Sequence, residues 1–417
     1  MGLGRISPPR LGRGPDPPRF GNAPDYLIKP HDVGLTIAEA LDTLWLMELD
    51  AQVEDGVRWI ADHFRPDIDG WAQAFETNIR LLGSILSGHV CTGDKKLLAL
   101  CHDLAERLMP AFDTPTGMPR RFVNLKTGAT KGDVSYPAEI GGFAPEATTL
   151  AKLTGDRRFL DAAIRAAMAL YERRSKIDLI PDEVNVVTGA FPSRRASVGP
   201  PSDSYYEYLW DGWRLTGDAR FRDAYRTLTD AILAHQRRTI GGRLWFVDVD
   251  YETGRPLETR QSELAAFYAG LLAEGGDGAI GQLHMASWAA AQERFGVVPD
   301  EFDAASWAVT DPGNPLRPEI ADSALTLWLT DRNERWRHLA RAHFLIMKRR
   351  QKVAHGYSGL EDVRIAGSYD DSCPGFWWSE QMKYYWLLFA DAKRFDYGPA
   401  HYLSTEGNIL RGVRRAG

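Results

Sequence analysis

A short turn recurs along this chain at intervals of about 60 residues, a period typical of stacked helical repeats. The turn reads CTGD, LTGD, LTGD, EGGD and finally LTD, and it ends at Asp94, Asp156, Asp218, Asp277 and Asp331. Glycine suits the residue that follows a helix, and aspartate suits the N-cap of the next helix. The repeat therefore predicts a series of similar helix–turn–helix units.

Apolar residues recur every three to four positions on both sides of each turn, which is helical spacing. The segment before the turn is the more apolar, as in FETNIRLLGSILSGHV (75–90), and the segment after it is more charged, as in KKLLALCHDLAERLM (95–109). Helices that are apolar on most faces need cover all round. Inner helices covered by outer ones predict an all-α toroid that closes on itself.

Six acidic residues share one phase of this repeat, near the start of each inner helix. They are Glu76, Glu139, Asp203, Glu263, Glu319 and Glu380. A preference of helix starts for acids explains one or two of them. In a closed barrel all six carboxylates would converge on one rim, where Arg80, Arg317 and several aromatic residues would flank them. We interpret the six acids as a functional cluster.

Many carboxylates with few histidines suit two kinds of chemistry. Glycoside hydrolysis needs a carboxylic acid to protonate the leaving oxygen and a carboxylate to activate water. A hard cation such as Ca²⁺ needs oxygen ligands. The sequence has no GxxxxGK[ST] or GxGxxG loop, no GxSxG elbow and no HExxH pair, which argues against nucleotide binding, a serine hydrolase and a zinc hydrolase.

Charge and hydropathy exclude two kinds of partner. The net charge is −6, with acids and bases mixed along the chain, so we expect no nucleic-acid partner. No apolar run approaches the roughly 20 residues that span a bilayer, so we expect no membrane span.

Nine segments, in order between about residues 34 and 410, resemble glycoside hydrolase family 47, the class I α-1,2-mannosidases. They are TIAEALDTLWLM (36–47), FETNIRLLGSILSG (75–88), LMPAFDTPTGMPRRFVNLKTG (108–128), AEIGGFAPE (138–146), DSYYEYL (203–209), LRPEIADS (316–323), GYSGLEDVR (356–364), SEQMKYYWLLF (379–389) and STEGN (404–408). Segments 185–209 and 263–270 resemble most the ER degradation-enhancing mannosidase-like branch, and the Arg/Ala/Gly-rich composition is typical of a bacterial homologue.

The resemblance implies an (α/α)7 barrel, with a C-terminal β-hairpin plugging one end and carrying Ca²⁺. It implies an inverting α-mannosidase acting on terminal α-1,2-linked mannose of oligomannose glycans or mannobiose. The family's three essential acids match Glu76, Asp203 and Glu319. Glu319 would be the general base and Glu76 the general acid, with Asp203 as a rival for the acid role. Thr405 matches the threonine that binds Ca²⁺ through its hydroxyl and carbonyl oxygens.

The resemblance also implies a set of substrate-binding positions. Phe376 matches the aromatic residue that stacks beneath the mannose ring. The full set is Arg80, Glu139, Glu146, Glu263, Arg317, Phe376, Glu380 and Glu406.

Four departures from the family pattern lie near these positions. The family's TEAHP reads TEGNI, a usual histidine is Glu263, Pro201 stands where many members have arginine, and an SF pair reads Gly375–Phe376. Because the three central acids are intact, these departures predict altered recognition of the leaving sugar, and weaker cation binding, more than altered chemistry.

The sequence accounts for thirteen helices, whereas seven hairpins need fourteen, and the first outer helix has no counterpart. We therefore predict a Pro/Arg-rich segment at residues 1–30 and one barrel domain at 31–417. The apolar faces of the helices near 36–49 and 376–390 would form a seam, which residues 1–30 would cover as a proline-rich strap. Candidate seam residues are Trp45, Met47, Tyr384 and Trp386.

Two other functions stay open. A glycan-binding protein on the same fold without turnover would also keep the carboxylates, and release of mannose from an α-1,2-linked disaccharide would exclude it. A sugar epimerase on a helical toroid usually relies on paired histidines. Five histidines do not share the phase of the acids, and we expect most of them at the surface or at helix ends: His89, His102, His284, His338 and His355.

Three cysteines, Cys91, Cys101 and Cys373, are too few for a disulfide scaffold. We favour buried thiols over a pair between Cys91 and Cys101. The N-terminus lacks the apolar region of a signal peptide, so the chain as it stands is expected in the cytoplasm, and a secreted or periplasmic location would need a leader ahead of residue 1. A monomer is expected.

Overall fold

The repeated turns end and begin helices as their sequence predicts. Gly93, Gly155 and Gly217 each close a helix in the left-handed conformation, with φ of 80°, 80° and 74°. The carboxylate of Asp94 accepts the N–H of the second residue in the next helix at 2.8 Å. In the LTD turn, Asn333 rather than the aspartate is the N-cap.

The computed structural model describes residues 19–20, 33–396 and 401–414. These residues contain seven inner helices and six outer helices, which confirms the expected thirteen. The inner helices are Leu35–Leu46, Ala74–Glu76 with Thr77–Leu82 and Gly83–Thr92, Pro137–Gly141 with Ala144–Thr154, Asp203–Thr216, Glu263–Phe267 with Tyr268–Glu274, Glu319–Asp331, and Trp377–Gln381 with Met382–Phe389. The outer helices are Asp50–His63, Lys95–Leu108, Arg158–Tyr171, Ala219–His235, Gly278–Phe295 and Glu334–Arg350.

The inner helices form a closed ring, because each one packs on the next and the seventh packs on the first. Every residue of Leu35–Leu46 except Thr36 is buried. In the outer helix Asp50–His63 only Val53, Gly56 and Ile60 are buried. The all-α barrel of helical hairpins predicted from the sequence is therefore confirmed.

Short strands occupy the loops between hairpins, in more places than the sequence suggested. The pairs and triplets are Trp71–Gln73 with Phe122–Asn124 and Thr130–Lys131, Val134–Ser135 with Val184–Asn185, Arg195–Ala196 with Asp248–Asp250 and Pro256–Glu258, Arg237–Ile240 with Arg243–Phe246, Arg260–Ser262 with Glu301–Asp303 and Val309–Asp311, Lys352–Val353 with Gly356–Tyr357, Tyr402–Leu403 with Ile409–Arg411, and Arg19–Phe20 with Ser372–Cys373. Only the last pair is parallel.

The C-terminal hairpin, Tyr402–Leu403 and Ile409–Arg411, is seated inside the ring by a buried ion pair. Lys383 Nζ lies 2.7 Å from Asp42 Oδ2, and both side chains are at most 2% exposed. The same Asp42 oxygen accepts the N–H of Ile409 at 2.8 Å. Lys383 also donates to the carbonyl oxygen of Gly407. One carboxylate thus joins the first inner helix, the seventh and the hairpin.

The predicted seam between the first and seventh inner helices is largely covered. Trp45 and Tyr384 are buried, and Met47 and Trp386 are half-buried. One cause is the segment after the last helix, where the Arg394 guanidinium lies 5.4 Å from the Trp45 ring. Apart from Arg19–Phe20, the predicted strap lies outside the described residues.

The three cysteines are buried free thiols, as expected. Among the helices described, none is both long enough and apolar enough to cross a membrane.

Lys383→Met should lower the free energy of unfolding by about 3–5 kcal/mol, because it leaves the Asp42 carboxylate buried without its partner. Urea unfolding followed by circular dichroism measures the change. Arg58→Met is the matched control, because Arg58 pairs with Asp55 at the surface, with side chains 65% and 41% exposed. We expect a change within about 0.5 kcal/mol for that control. Equal losses in both variants would contradict the role of the buried pair.

Candidate active site

A cavity of about 380 Å³ opens at the end of the barrel where the inner helices begin, a size within the range of small-ligand sites. Five of the six acids in phase with the repeat line it, and Glu263 does not. Its wall consists of Phe75, Glu76, Ile79, Arg80, Tyr136, Ala138, Glu139, Pro200, Pro201, Asp203, Ser204, Glu207, Leu264, Phe267, Arg317, Glu319, Asp322, Phe376, Glu380, Thr405 and Glu406.

Arg80 links three carboxylates at one side of the cavity. Its Nε donates to Glu76 Oε2 at 2.6 Å, and its Nη1 donates to Glu406 Oε2 at 2.7 Å and to Glu39 Oε1 at 3.5 Å. Arg80 lies in the π-helical turn Thr77–Leu82, a local widening that is frequent at functional sites. The guanidinium offsets part of the repulsion among these acids.

Glu39 lies behind Arg80 and was not identified from the sequence. Burial raises its pKa to about 8, against the lowering effect of Arg80. A Cβ atom on Gly375 would lie 1.3 Å from Glu39 Oε2. The glycine that departs from the family pattern therefore makes room for the Glu39 carboxyl.

Asp203 and Glu319 line the cavity with little neutralising charge. Burial raises the pKa of Asp203 to about 6, although the Ser204 N–H and Arg317 lower it. Burial also raises the pKa of Glu319 to about 7, opposed mainly by Arg317. Glu319 Oε2 is buried without a hydrogen-bond partner among the described residues, so it is available to a ligand.

The floor of the cavity is formed by oxygen atoms around Thr405, which follows the strand Tyr402–Leu403. Thr405 Oγ1 donates to Glu207 Oε2 at 2.7 Å. Burial raises the pKa of Asp322 to about 8 and that of Glu406 to about 7. Burial and the charge of Glu406 raise the pKa of Glu380. An oxygen-only donor set, in which Arg80 pairs with Glu406, fits a hard cation.

Phe376 presents its ring to the cavity between two guanidinium groups. Arg80 lies 5.6 Å from the ring centroid and Arg317 lies 5.9 Å from it. Arg317 is held by Asp300, whose Oδ1 accepts from its Nε at 2.8 Å. A fixed aromatic face beside cations and acids suits the apolar face and the hydroxyls of a sugar.

Glu139 forms part of the wall through four hydrogen bonds. It accepts from Arg121 Nε at 2.7 Å and Nη2 at 2.9 Å, from Gln73 Nε2 at 2.7 Å and from Ser135 Oγ at 3.0 Å. Burial raises its pKa while Arg121 opposes the rise. Both oxygens are engaged, so this carboxylate shapes the wall.

Two of the predicted sugar-binding acids lie behind the wall instead of on it. Glu146 is fully buried and accepts from Tyr208 OH at 3.0 Å and Asn78 Nδ2 at 3.1 Å. Glu263 is fully buried and accepts from Asn314 Nδ2 at 2.7 Å. Neither lines the cavity, so either can affect a bound sugar only through other residues.

Three acids of the site were missed at the sequence level, although a signal was present for two of them. Glu207 follows Asp203 by four residues and Asp322 follows Glu319 by three, which places each pair on one face of a helix. Glu39 lies in the first inner helix, 37 residues before Glu76, so it falls outside the spacing of about 60 residues that relates the six acids.

No histidine lines the cavity formed by the described residues. His284 is fully buried in the core beside Trp245, contrary to the expected surface location. On the outside of the barrel His102, Glu106 and Asp156 lie close enough to share a cation. Arg158 already pairs with both acids there, at 2.5 and 2.6 Å.

Comparison with known proteins agrees with this arrangement. The model of Glycosyl hydrolase family 47 matches residues 19–412. Alpha-mannosidase I MNS5 of Arabidopsis thaliana is 32% identical over 91% of this chain and 67% of its own length. Mannosyl-oligosaccharide 1,2-alpha-mannosidase IB of Homo sapiens is 31% identical over 89% and 62%. ER degradation-enhancing alpha-mannosidase-like protein 2 of Homo sapiens is 32% identical over 91% and 66%.

The chain thus spans about two thirds or less of the length of these relatives. They include a mannosyl-oligosaccharide 1,2-alpha-mannosidase and an ER degradation-enhancing mannosidase-like protein. A solved structure, alpha-1,2-mannosidase from Trichoderma reesei, superposes with a TM-score of 0.83 over 92% of this chain and 91% of that one, at 22% identity. This likeness shows the fold.

Gly375→Ala should lower the free energy of unfolding by about 1–3 kcal/mol, because the new Cβ displaces the Glu39 carboxyl from Arg80. Adding Glu39→Asp, which withdraws that carboxyl by one methylene, should recover at least half of the loss. Urea unfolding of the single and double variants gives the coupling energy. Gly278→Ala is the control, because its Cβ would contact only Ala273, at 3.9 Å. Additive effects of the two substitutions would contradict the steric pairing.

Proposed function

This chain belongs to glycosyl hydrolase family 47, and we propose that it is a Ca²⁺-dependent α-mannosidase that removes terminal α-1,2-linked mannose from oligomannose glycans with inversion. The observation that carries the proposal is the convergence of Glu76, Asp203 and Glu319 on one cavity with an aromatic face at Phe376. The names of the relatives supply the substrate class.

The terminal mannose would lie against the Phe376 ring, with Arg80 and Arg317 beside the ring to donate hydrogen bonds to its hydroxyls. Glu319 is the general base. Its unpartnered Oε2 takes a proton from the attacking water as that water reaches the anomeric carbon. Inversion follows because water attacks from the face opposite the leaving oxygen.

Asp203 is the better candidate for the general acid. Burial raises its pKa to about 6, so a larger fraction of this carboxyl carries a proton near neutral pH than of an ordinary aspartate. The Glu76 carboxylate accepts from Arg80 Nε at 2.6 Å and so is paired with that guanidinium. Asp203 would therefore protonate the glycosidic oxygen while Glu76 balances the charge of Arg80.

Thr405 would hold Ca²⁺ through its hydroxyl and carbonyl oxygens, with Glu207, Asp322, Glu380 and Glu406 around it. When bound, the ion supplies positive charge among these acids and a fixed point for sugar hydroxyls. The raised pKa values of Glu319, Asp322 and Glu406 describe the acids without that charge.

Glu319→Gln should lower kcat on α-1,2-mannobiose by about 10² or more, the usual scale for losing a general base. Glu334→Gln, on an outer helix, is the control and should leave kcat unchanged. NMR of the first product should show β-mannose. Early α-mannose would contradict inversion, and a wild-type protein that binds mannobiose without releasing mannose would be a glycan-binding protein.

Asp203→Asn and Glu76→Gln can be distinguished by the leaving group. In an aryl mannoside with an acidic phenol, the phenolate leaves without protonation. The variant that lacks the general acid therefore keeps its rate on that substrate while losing it on mannobiose. We expect this selective retention for Asp203→Asn. Retention by Glu76→Gln alone would transfer the acid role to Glu76.

EDTA should abolish activity and added Ca²⁺ should restore it, and Thr405→Ala should raise the Ca²⁺ concentration needed for half-recovery. The thermal midpoint should rise with Ca²⁺ more at pH 8 than at pH 5, because the carboxyls must lose protons to face the ion. Full activity of the metal-free protein would contradict the calcium requirement.

A further inference from the structure

A small three-stranded sheet beside the cavity has one face that the proposed mechanism does not use. Cross-strand pairing puts Gln73 opposite Phe122 and Phe122 opposite Lys131. Because strand side chains alternate, Trp71 shares this face with Gln73. Ala72 and Val123 point to the other face, where both are fully buried.

The inner end of this face is joined to the cavity. Gln73 Nε2 donates to the wall residue Glu139 at 2.7 Å. The Arg121 guanidinium, which also holds Glu139, lies 4.7 Å from the ring centroid of the wall residue Tyr136 and 5.4 Å from that of Phe122.

The outer end of the face is open to solvent. Lys131 Nζ lies 5.5 Å from the Phe122 ring centroid and 4.2 Å from the Trp71 ring centroid. Trp71 is 38% exposed, and Lys131 is exposed. Rings and cations thus alternate from Tyr136 in the cavity wall outward to Trp71.

We propose that this face, Trp71, Phe122 and Lys131, together with the Arg121 guanidinium beside it, is an outer sugar-binding subsite for the part of the oligomannose glycan beyond the cleaved linkage. The exposed indole offers an apolar surface for a sugar ring, and the ammonium and guanidinium offer donors for its hydroxyls. From Gln73 to Trp71 the strand advances about 7 Å, two residues. The subsite therefore lies beyond the terminal mannose.

A single exposed aromatic residue is ordinary and needs no ligand. Phe389, which is 41% exposed at the end of the seventh inner helix, is such a residue on this chain. Trp71 differs from it because a continuous row of side chains joins it to the cavity. This inference rests on the proposed function for the identity of the glycan, and it predicts a preference for branched oligomannose over mannobiose.

Trp71→Ala should lower kcat/KM for a branched oligomannose glycan about 10-fold, through KM, and leave kcat/KM for α-1,2-mannobiose unchanged. Trp71→Phe should recover part of the loss. Phe389→Ala, an equally exposed aromatic outside this face, should change neither substrate. The subsite is overturned if the ratio of kcat/KM for the branched glycan to kcat/KM for mannobiose is the same in Trp71→Ala as in Phe389→Ala.

Calorimetric binding in a Glu319→Gln background separates this inference from the proposed function. Trp71→Ala should weaken binding of the branched glycan about 10-fold and leave mannobiose binding unchanged. If the wild type releases no mannose but this loss is seen, the subsite stands and the hydrolase proposal fails. If binding of the branched glycan is unaltered, the subsite is overturned whether or not the wild type turns over.

Discussion

The buried pair between Asp42 and Lys383 is the contact on which the site depends. It closes the ring between the first and seventh inner helices, where no outer helix is found among the described residues. Through the Ile409 N–H and the Gly407 carbonyl it also fixes the hairpin that carries Thr405. A buried ion pair adds little net stability over apolar packing. Its contribution here is positional, since it fixes the cavity floor relative to the cavity walls.

Excess negative charge is the second constraint, because eight acidic residues but only two arginines line the cavity formed by the described residues. Burial raises the pKa of Asp322 to about 8 and that of Glu319 and Glu406 to about 7. Without a cation these three acids hold more protons in the folded protein than in the unfolded chain from about pH 4.5 to about 8, so their contribution to stability falls as pH rises through that window. Bound Ca²⁺ would replace those protons, which couples folding stability to loading of the site.

The repeat made the barrel and five of the acids in the cavity wall predictable from sequence. Glycine–aspartate turns and phased acids are local signals, and both reappear as helix caps and as the rim. The phase of the repeat placed Glu263 on the rim because phase gives the end of a helix but not the depth of a side chain, and the family resemblance alone placed Glu146 at the sugar. The contact of Arg394 with the Trp45 ring joins residues distant in sequence and was not predicted. Long-range contacts of this kind produce no periodic pattern in the sequence.

Two of the departures from the family pattern, Gly375 and the TEGNI segment, are each accommodated by contacts with neighbouring residues. Gly375 leaves space that the Glu39 carboxyl fills. In TEGNI, Gly407 has φ of 70°, and a Cβ there would lie 2.5 Å from the Ser379 carbonyl oxygen. The buried Asn408 amide donates to the Ile79 carbonyl and accepts from Ser84, both at 3.0 Å. These residues seat the hairpin and leave Thr405 and Glu406 facing the cavity, so the altered motif is compatible with a cation site on the same floor.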